Sequence, residues 1–177
     1  MGMMTRAVAS GLLASGILLA ASSAAAATPL GSDREACLAN STSAVLANIH
    51  GLKDRVGRIR VEIYPDNEAD FLKRDDDLIA EGKVFRRVWA DIPRSGDVAM
   101  CIEVPRPGSY ALVFIHQREG TKRFDFRVDG VGVPSEERIG RTMPKVGQAR
   151  ITVGPRVKTT DITVQYLRGL RGFAPLG

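Results

Sequence analysis

The stretch Arg58-Ile59-Arg60-Val61-Glu62-Ile63-Tyr64 decides the fold. Its apolar residues alternate strictly with charged ones, so Ile59, Val61 and Ile63 share one face and Arg58, Arg60 and Glu62 share the other. A period of two is that of a β-strand, whose successive side chains point to opposite sides of a sheet. The stretch therefore predicts a half-buried strand, with its isoleucines and valine in a core and its charges in water.

The same period recurs on either side. Val98, Met100, Ile102 and Val104 alternate with Ala99, Cys101 and Glu103, and the run from Tyr110 to His116 is more uniformly apolar, as suits a central strand covered on both faces. Further strand candidates are 44–49, 84–91, 149–153 and 162–167. Turn signals separate them, including His50-Gly51, Pro65-Asp66-Asn67, Pro93-Arg94-Ser95-Gly96, Pro105-Arg106-Pro107-Gly108 and Gly154-Pro155. Seven short strands at this spacing read as a single antiparallel β-sandwich. Its core should hold Ile59, Val61, Ile63, Tyr110, Leu112, Phe114, Ile151, Ile162 and Val164, joined by Val113 and Ile115 if their strand is central. One short helix fits, around 67–80. No repeat, linker or internal boundary appears, so residues 28–168 form one domain and 169–177 a loose tail.

The first 27 residues read as an address. Arg6 precedes an apolar run over 7–21, and Ser22, Ser23 and four alanines then supply the small residues that a signal peptidase requires. The alternative, an uncleaved anchor, is disfavoured because alanine and serine contribute little insertion energy. Residues 1–27 are thus expected to be a cleavable signal peptide, with a periplasmic or secreted mature chain starting at Thr28-Pro29. Of the 177 residues, 25 are basic and 20 acidic, and the leader removes only Arg6, leaving a mature charge of +4. No later apolar run is long enough to span a membrane.

Two cysteines remain, Cys37 and Cys101. An oxidising compartment favours joining them, and a loop of about 64 residues would be worth roughly 4 kcal/mol in the chain-entropy picture. Free buried thiols are the alternative. A zinc site from Cys37, Cys101, His50 and His116 has suitable atoms but none of the close ligand spacings.

Catalytic patterns are absent from the sequence. His50 and His116 are the two histidines, neither has a partner that spacing assigns, and no G-x-S-x-G elbow occurs. His116, ending an apolar strand, reads as a structural imidazole. The stretch Asp66-Asn67-Glu68-Ala69-Asp70 lacks the glycine and glutamate of a calcium loop, and Asp75-Asp76-Asp77 reads as a solvated run. No catalytic residue, metal ligand or cofactor is assigned. The basic residues are more suggestive. Arg58 and Arg60 share a strand face, and Arg86 or Arg87 from a neighbouring strand would extend it into a patch for an anionic ligand. With Trp89 as the chain's one tryptophan and few aromatics for stacking, nucleic acid is not the expected partner.

The runs "HGLKDRVGRIRVEIYPDNEADFLK", "VPRPGSYALVFIHQREG", "RFDFRVDGVGVPSEE" and "GQARITV" follow one another in an order that resembles a family of secreted bacterial proteins, the domain of unknown function 2141. The similarity covers most of 43–167. It implies an immunoglobulin-like or transthyretin-like sandwich and no particular reaction. Many family members follow the histidine with an acidic, calcium-like loop. Here that stretch, from His116 to Arg123, offers only Glu119 among Arg118, Lys122 and Arg123, so calcium is not expected there. Asp125, Asp129, Gly130, Gly132 and Pro134 match the family pattern and read as a capped tight turn. The expectation is an exported binding or structural module of the cell envelope, meeting an anionic envelope polymer or another envelope protein. The competing class is an envelope hydrolase or a metal-dependent enzyme.

Overall fold

The computed structural model describes residues 1–2, 27–120 and 123–176. The expected leader, 1–27, lies outside the described residues but for its ends. Chain that follows it immediately is already in a sheet, and among the described residues no helix is long and apolar enough to cross a membrane.

Two sheets carry the fold. The smaller has the order β1 (Pro29–Leu30), β5 (Val98–Glu103), β2 (Ala44–His50), β9 (Val157–Thr163). The larger runs β11 (Phe173–Pro175), β10 (Gln165–Leu167), β7 (Gly130–Gly132), β6 (Gly108–Gln117), β3 (Arg58–Pro65), β4 (Arg86–Asp91), while β8 (Arg150–Val153) pairs with the opening residues of β6. Val45, Ala47, Met100, Ile102 and Ile162 of the smaller sheet meet Ile59, Val61, Ile63, Leu112 and Phe114 of the larger in one apolar cluster. All nine residues expected in the core are buried, and so are Val113 and Ile115.

The sandwich departs from the expected antiparallel pattern of about seven strands. The smaller sheet is mixed, because β1 lies parallel to β5 and β9 parallel to β2. The stretch 162–167 is two elements rather than one strand. At Val164, whose amide donates to the carbonyl of His50 at 2.9 Å, the chain leaves the smaller sheet and enters the larger. β7 passes close beneath this crossing. A Cβ on Gly130 would stand 2.5 Å from the Tyr166 ring, and one on Gly132 would collide with Ile162, so only glycine lets the strands approach.

Short helices close the periphery. α1 (Arg34–Ala39) packs on β5 and carries Cys37, which is disulfide-bonded to Cys101 with Cα atoms 6.0 Å apart. α2 (Asp75–Ala80) occupies only the end of the span read as helical, and α3 (Val146–Ala149) precedes β8. The segment read as a loose tail holds a 3-10 turn at Gly169–Arg171 and then β11. Pairing with β10 and a bridge to Gly140 hold it, with Ala174 buried.

Candidate functional site

The outer face of the larger sheet is covered, and its composition changes across the strands. One register row runs Val131–Ile115–Arg60–Trp89 and the next Val113–Glu62–Arg87. The β6 and β7 side is apolar because β6 is apolar on both faces. The β3 and β4 side is charged because the alternation of β3 sends its polar residues outward. Segments 72–75 and 142–144, with Phe124 and Phe173, wall this floor into a cleft of about 240 Å³.

At its charged end a carboxylate is clamped between two guanidiniums. Glu62 Oε1 accepts from Arg60 Nε at 2.8 Å and from Arg87 Nε at 2.5 Å, and Oε2 accepts from the Tyr64 hydroxyl at 2.8 Å. Arg60 Nη1 donates to Gln117 Oε1, and Arg87 Nη1 donates to Asp75 Oδ2 at 2.7 Å. Glu62 is 2% exposed and Arg60 6%, so these charges sit in protein rather than in water. Burial, and then the Glu62 carboxylate, push the Tyr64 phenol far above its usual range. Burial alone would lower Arg87, but Glu62 and Asp75 outweigh it and raise the guanidinium. Burial would likewise raise Asp75, and Arg87 overrides it to hold that carboxyl low.

The structure thus divides the four arginines read as one patch. Arg60 and Arg87 meet at Glu62 and line the cleft. Arg58 pairs with Asp91 at 3.0 Å, and Arg86 turns away to Asp33 at 2.6 Å. Arg58 and Arg60 both stand over the Trp89 ring, at 5.2 and 4.8 Å from its centre. The face of β3 expected in water is mostly buried, because 72–75, 142–144 and the aromatic residues cover the sheet.

His116 lies elsewhere, inside the sandwich. Lys53 N–H donates to the Tyr166 hydroxyl at 3.0 Å, leaving that hydroxyl to donate to His116 Nδ1 at 2.6 Å, while Nε2–H donates to the carbonyl of Val56 at 2.8 Å. Both ring nitrogens are satisfied by a neutral imidazole, and burial lowers its pKa. His50 is half-exposed and paired with Asp161 at 3.0 Å.

The acidic motifs are satisfied by protein groups. Asp66 accepts from Ser109 and Arg150, Asp70 from Lys83 and Asn67, and Asp129 from the amides of Arg118 and Asp125. Among the described residues no group of three His, Cys, Asp or Glu is placed to hold a metal ion.

Sequence reading named Arg60 and Arg87, and expected Val113 and Ile115 to be buried on a central strand covered on both faces, but missed Glu62, Tyr64 and Asp75. The signal for those three lay in the consequence of the unbroken apolar run of β6. A strand buried on both faces requires a cover, and its strand neighbours must share it.

No curated protein and no solved structure matches the chain. A family model described as an uncharacterized protein conserved in bacteria matches residues 47–161. That span holds the second half of β2, β3 to β8 and most of β9, including the sheet floor of the cleft, and on this match the chain belongs to the domain of unknown function 2141 family.

Proposed function

We propose that this protein is an exported binding module of the bacterial cell envelope and that its ligand occupies the cleft on the outer face of the larger sheet. The observation that carries the reading is the two-sided floor, with Ile115 and Val113 beside Arg60 and Glu62 in single register rows. An open concavity that joins apolar side chains to a few oriented polar groups is the usual form of a small-molecule site. The leader-like start at 1–27 and the disulfide support export into an oxidising compartment. The same proposal takes the two-sheet architecture to be immunoglobulin-like or transthyretin-like.

Expression of the full chain in a bacterial host, followed by fractionation and N-terminal sequencing, tests the address. Mature protein outside the cytoplasm, beginning near Thr28, is expected, and an intact leader on cytoplasmic protein would overturn export. The purified protein should then brighten a neutral dye such as Nile red at one site per chain. Thr142→Trp, at the exposed rim of the cleft, should abolish that signal. Unchanged dye binding in this variant would remove the cleft from consideration.

A further inference from the structure

We infer that the cleft takes a medium-length apolar chain ending in a carboxylate, with the head group against Arg60 and Arg87 and the chain along Val113, Ile115 and Val131. This rests on the binding role proposed for the cleft and names its ligand class. Three observations support it.

The first is an uneven supply of donors and acceptors at the charged end. A guanidinium carries five N–H donors. Arg60 spends Nε on Glu62 and Nη1 on Gln117, and Arg87 spends Nε on Glu62 and Nη1 on Asp75. Each keeps an Nη2 with no hydrogen bond to another described residue. Arg60 is 94% buried, yet no fully buried side-chain nitrogen or oxygen among the described residues lacks a partner. Its Nη2 is therefore accessible, and Arg60 lines this cleft. Because the bonds to Glu62 and Gln117 already orient the guanidinium, a ligand oxygen meets a donor held in place.

The second is charge. Arg60, Lys73, Arg74 and Arg87 line the cleft with Glu62 and Asp75, and Lys73 and Arg74 are paired with Glu81 and Asp76 just outside it. Glu62 is shared by two guanidiniums, and Asp75 reaches Arg87 from the solvent side with its side chain 35% exposed. At the buried end two guanidiniums therefore face a single buried carboxylate. A cation there would meet the two guanidiniums, and a neutral head group would forgo a charge-assisted hydrogen bond to them.

The third is shape. Beyond the arginines the floor is wholly aliphatic, and Phe124 and Phe173, with ring centres 6.1 Å apart, form a wall. The cleft has a volume of about 240 Å³. That volume suits a medium chain rather than a long one.

The test titrates the purified mature protein with decanoate, decanol and decyltrimethylammonium, below their micelle concentrations, by calorimetry or Nile red displacement. Decanoate should bind about tenfold tighter than decanol or more, as one charge-assisted contact allows. The cation should bind most weakly. Asp75→Asn, which removes the competing carboxylate at the rim, should strengthen decanoate severalfold and leave decanol unchanged. Decanol equal to decanoate would overturn the carboxylate assignment while leaving the cleft as the binding site, and so would preference for the cation. No binding of any of the three would overturn both. Decyl phosphate is a fourth arm, and its binding tighter than decanoate would overturn the carboxylate in favour of a phosphate head group.

Discussion

On the inner face of β3, Ile59, Val61 and Ile63 are closed off by the smaller sheet; on its outer face, Arg60 and Glu62 are closed off almost as fully by one another, Arg87, Gln117 and Trp89. The inner face gains its stability without direction, from apolar area taken out of water. The outer face holds ions whose transfer into protein is unfavourable and whose attraction offsets that only while every partner is present. One strand thus has a face that tolerates volume-conserving change and a face that does not tolerate loss of either buried charge, Arg60 or Glu62.

Phe114→Ala, in the inner cluster, should cost about 4 kcal/mol through the cavity it leaves, read by urea unfolding. A loss below about 1 kcal/mol would mean that Phe114 does not sit between the sheets. On the outer face, Glu62→Ala strands two guanidiniums and should cost about 3 kcal/mol. The double replacement Arg60→Met with Glu62→Leu should restore most of that loss, since apolar groups of similar volume often substitute for a buried ion pair without penalty. If the double variant is less stable than Glu62→Ala, the two faces do not differ as described.

The third effect is of pH and sharpens the comparison at His116, which points inward on β6. Its folded pKa is lowered, so as pH falls through about 6.5 the unfolded chain takes up the proton first. His116 therefore contributes stability that is fully present above that pH and declines as pH falls towards the folded value. Thermal unfolding between pH 8 and pH 5 should show it, and His116→Leu should flatten the slope. An unchanged slope in that variant would assign the dependence to other groups. At lower pH the carboxyls that Arg118 and Arg87 hold down, Asp54 and Asp75, should add to the loss as they protonate.

The smallest effect belongs to the arginines outside the cleft. Arg58→Ala breaks an exposed pair with Asp91 and should change stability by about 0–1 kcal/mol. A loss near that of Glu62→Ala would mean that Arg58 and Arg60 belong to one energetic unit after all.

The alternating strands β3 and β5 and the apolar β6 were legible because their period is local and strong. β1, β7 and β11 were not, since elements of two or three residues carry no period and exist through their sheet partners. The helix read over 67–80 shrank to α2 because the Asn67–Asp70 turn and Leu72, at φ 60°, interrupt it. Of the candidate site, the sequence placed Arg58 and Arg60 on one face and Arg87 on a neighbouring strand. Glu62, in the same heptapeptide, was read as one more solvated charge.

By itself the sequence determined the β period, which residues share a face, a set of residues at the centre of the core and the two cysteines available to pair, because each follows from local stereochemistry or composition. The tertiary structure alone decided that the charged face of β3 would be covered, that Glu62 would hold Arg60 and Arg87 together, and that Arg58 and Arg86 would turn to Asp91 and Asp33. The reason is physical. Periodicity says which way a side chain points, but what it meets there depends on segments such as 72–75 and 142–144, which are distant in the chain and carry no pattern of their own.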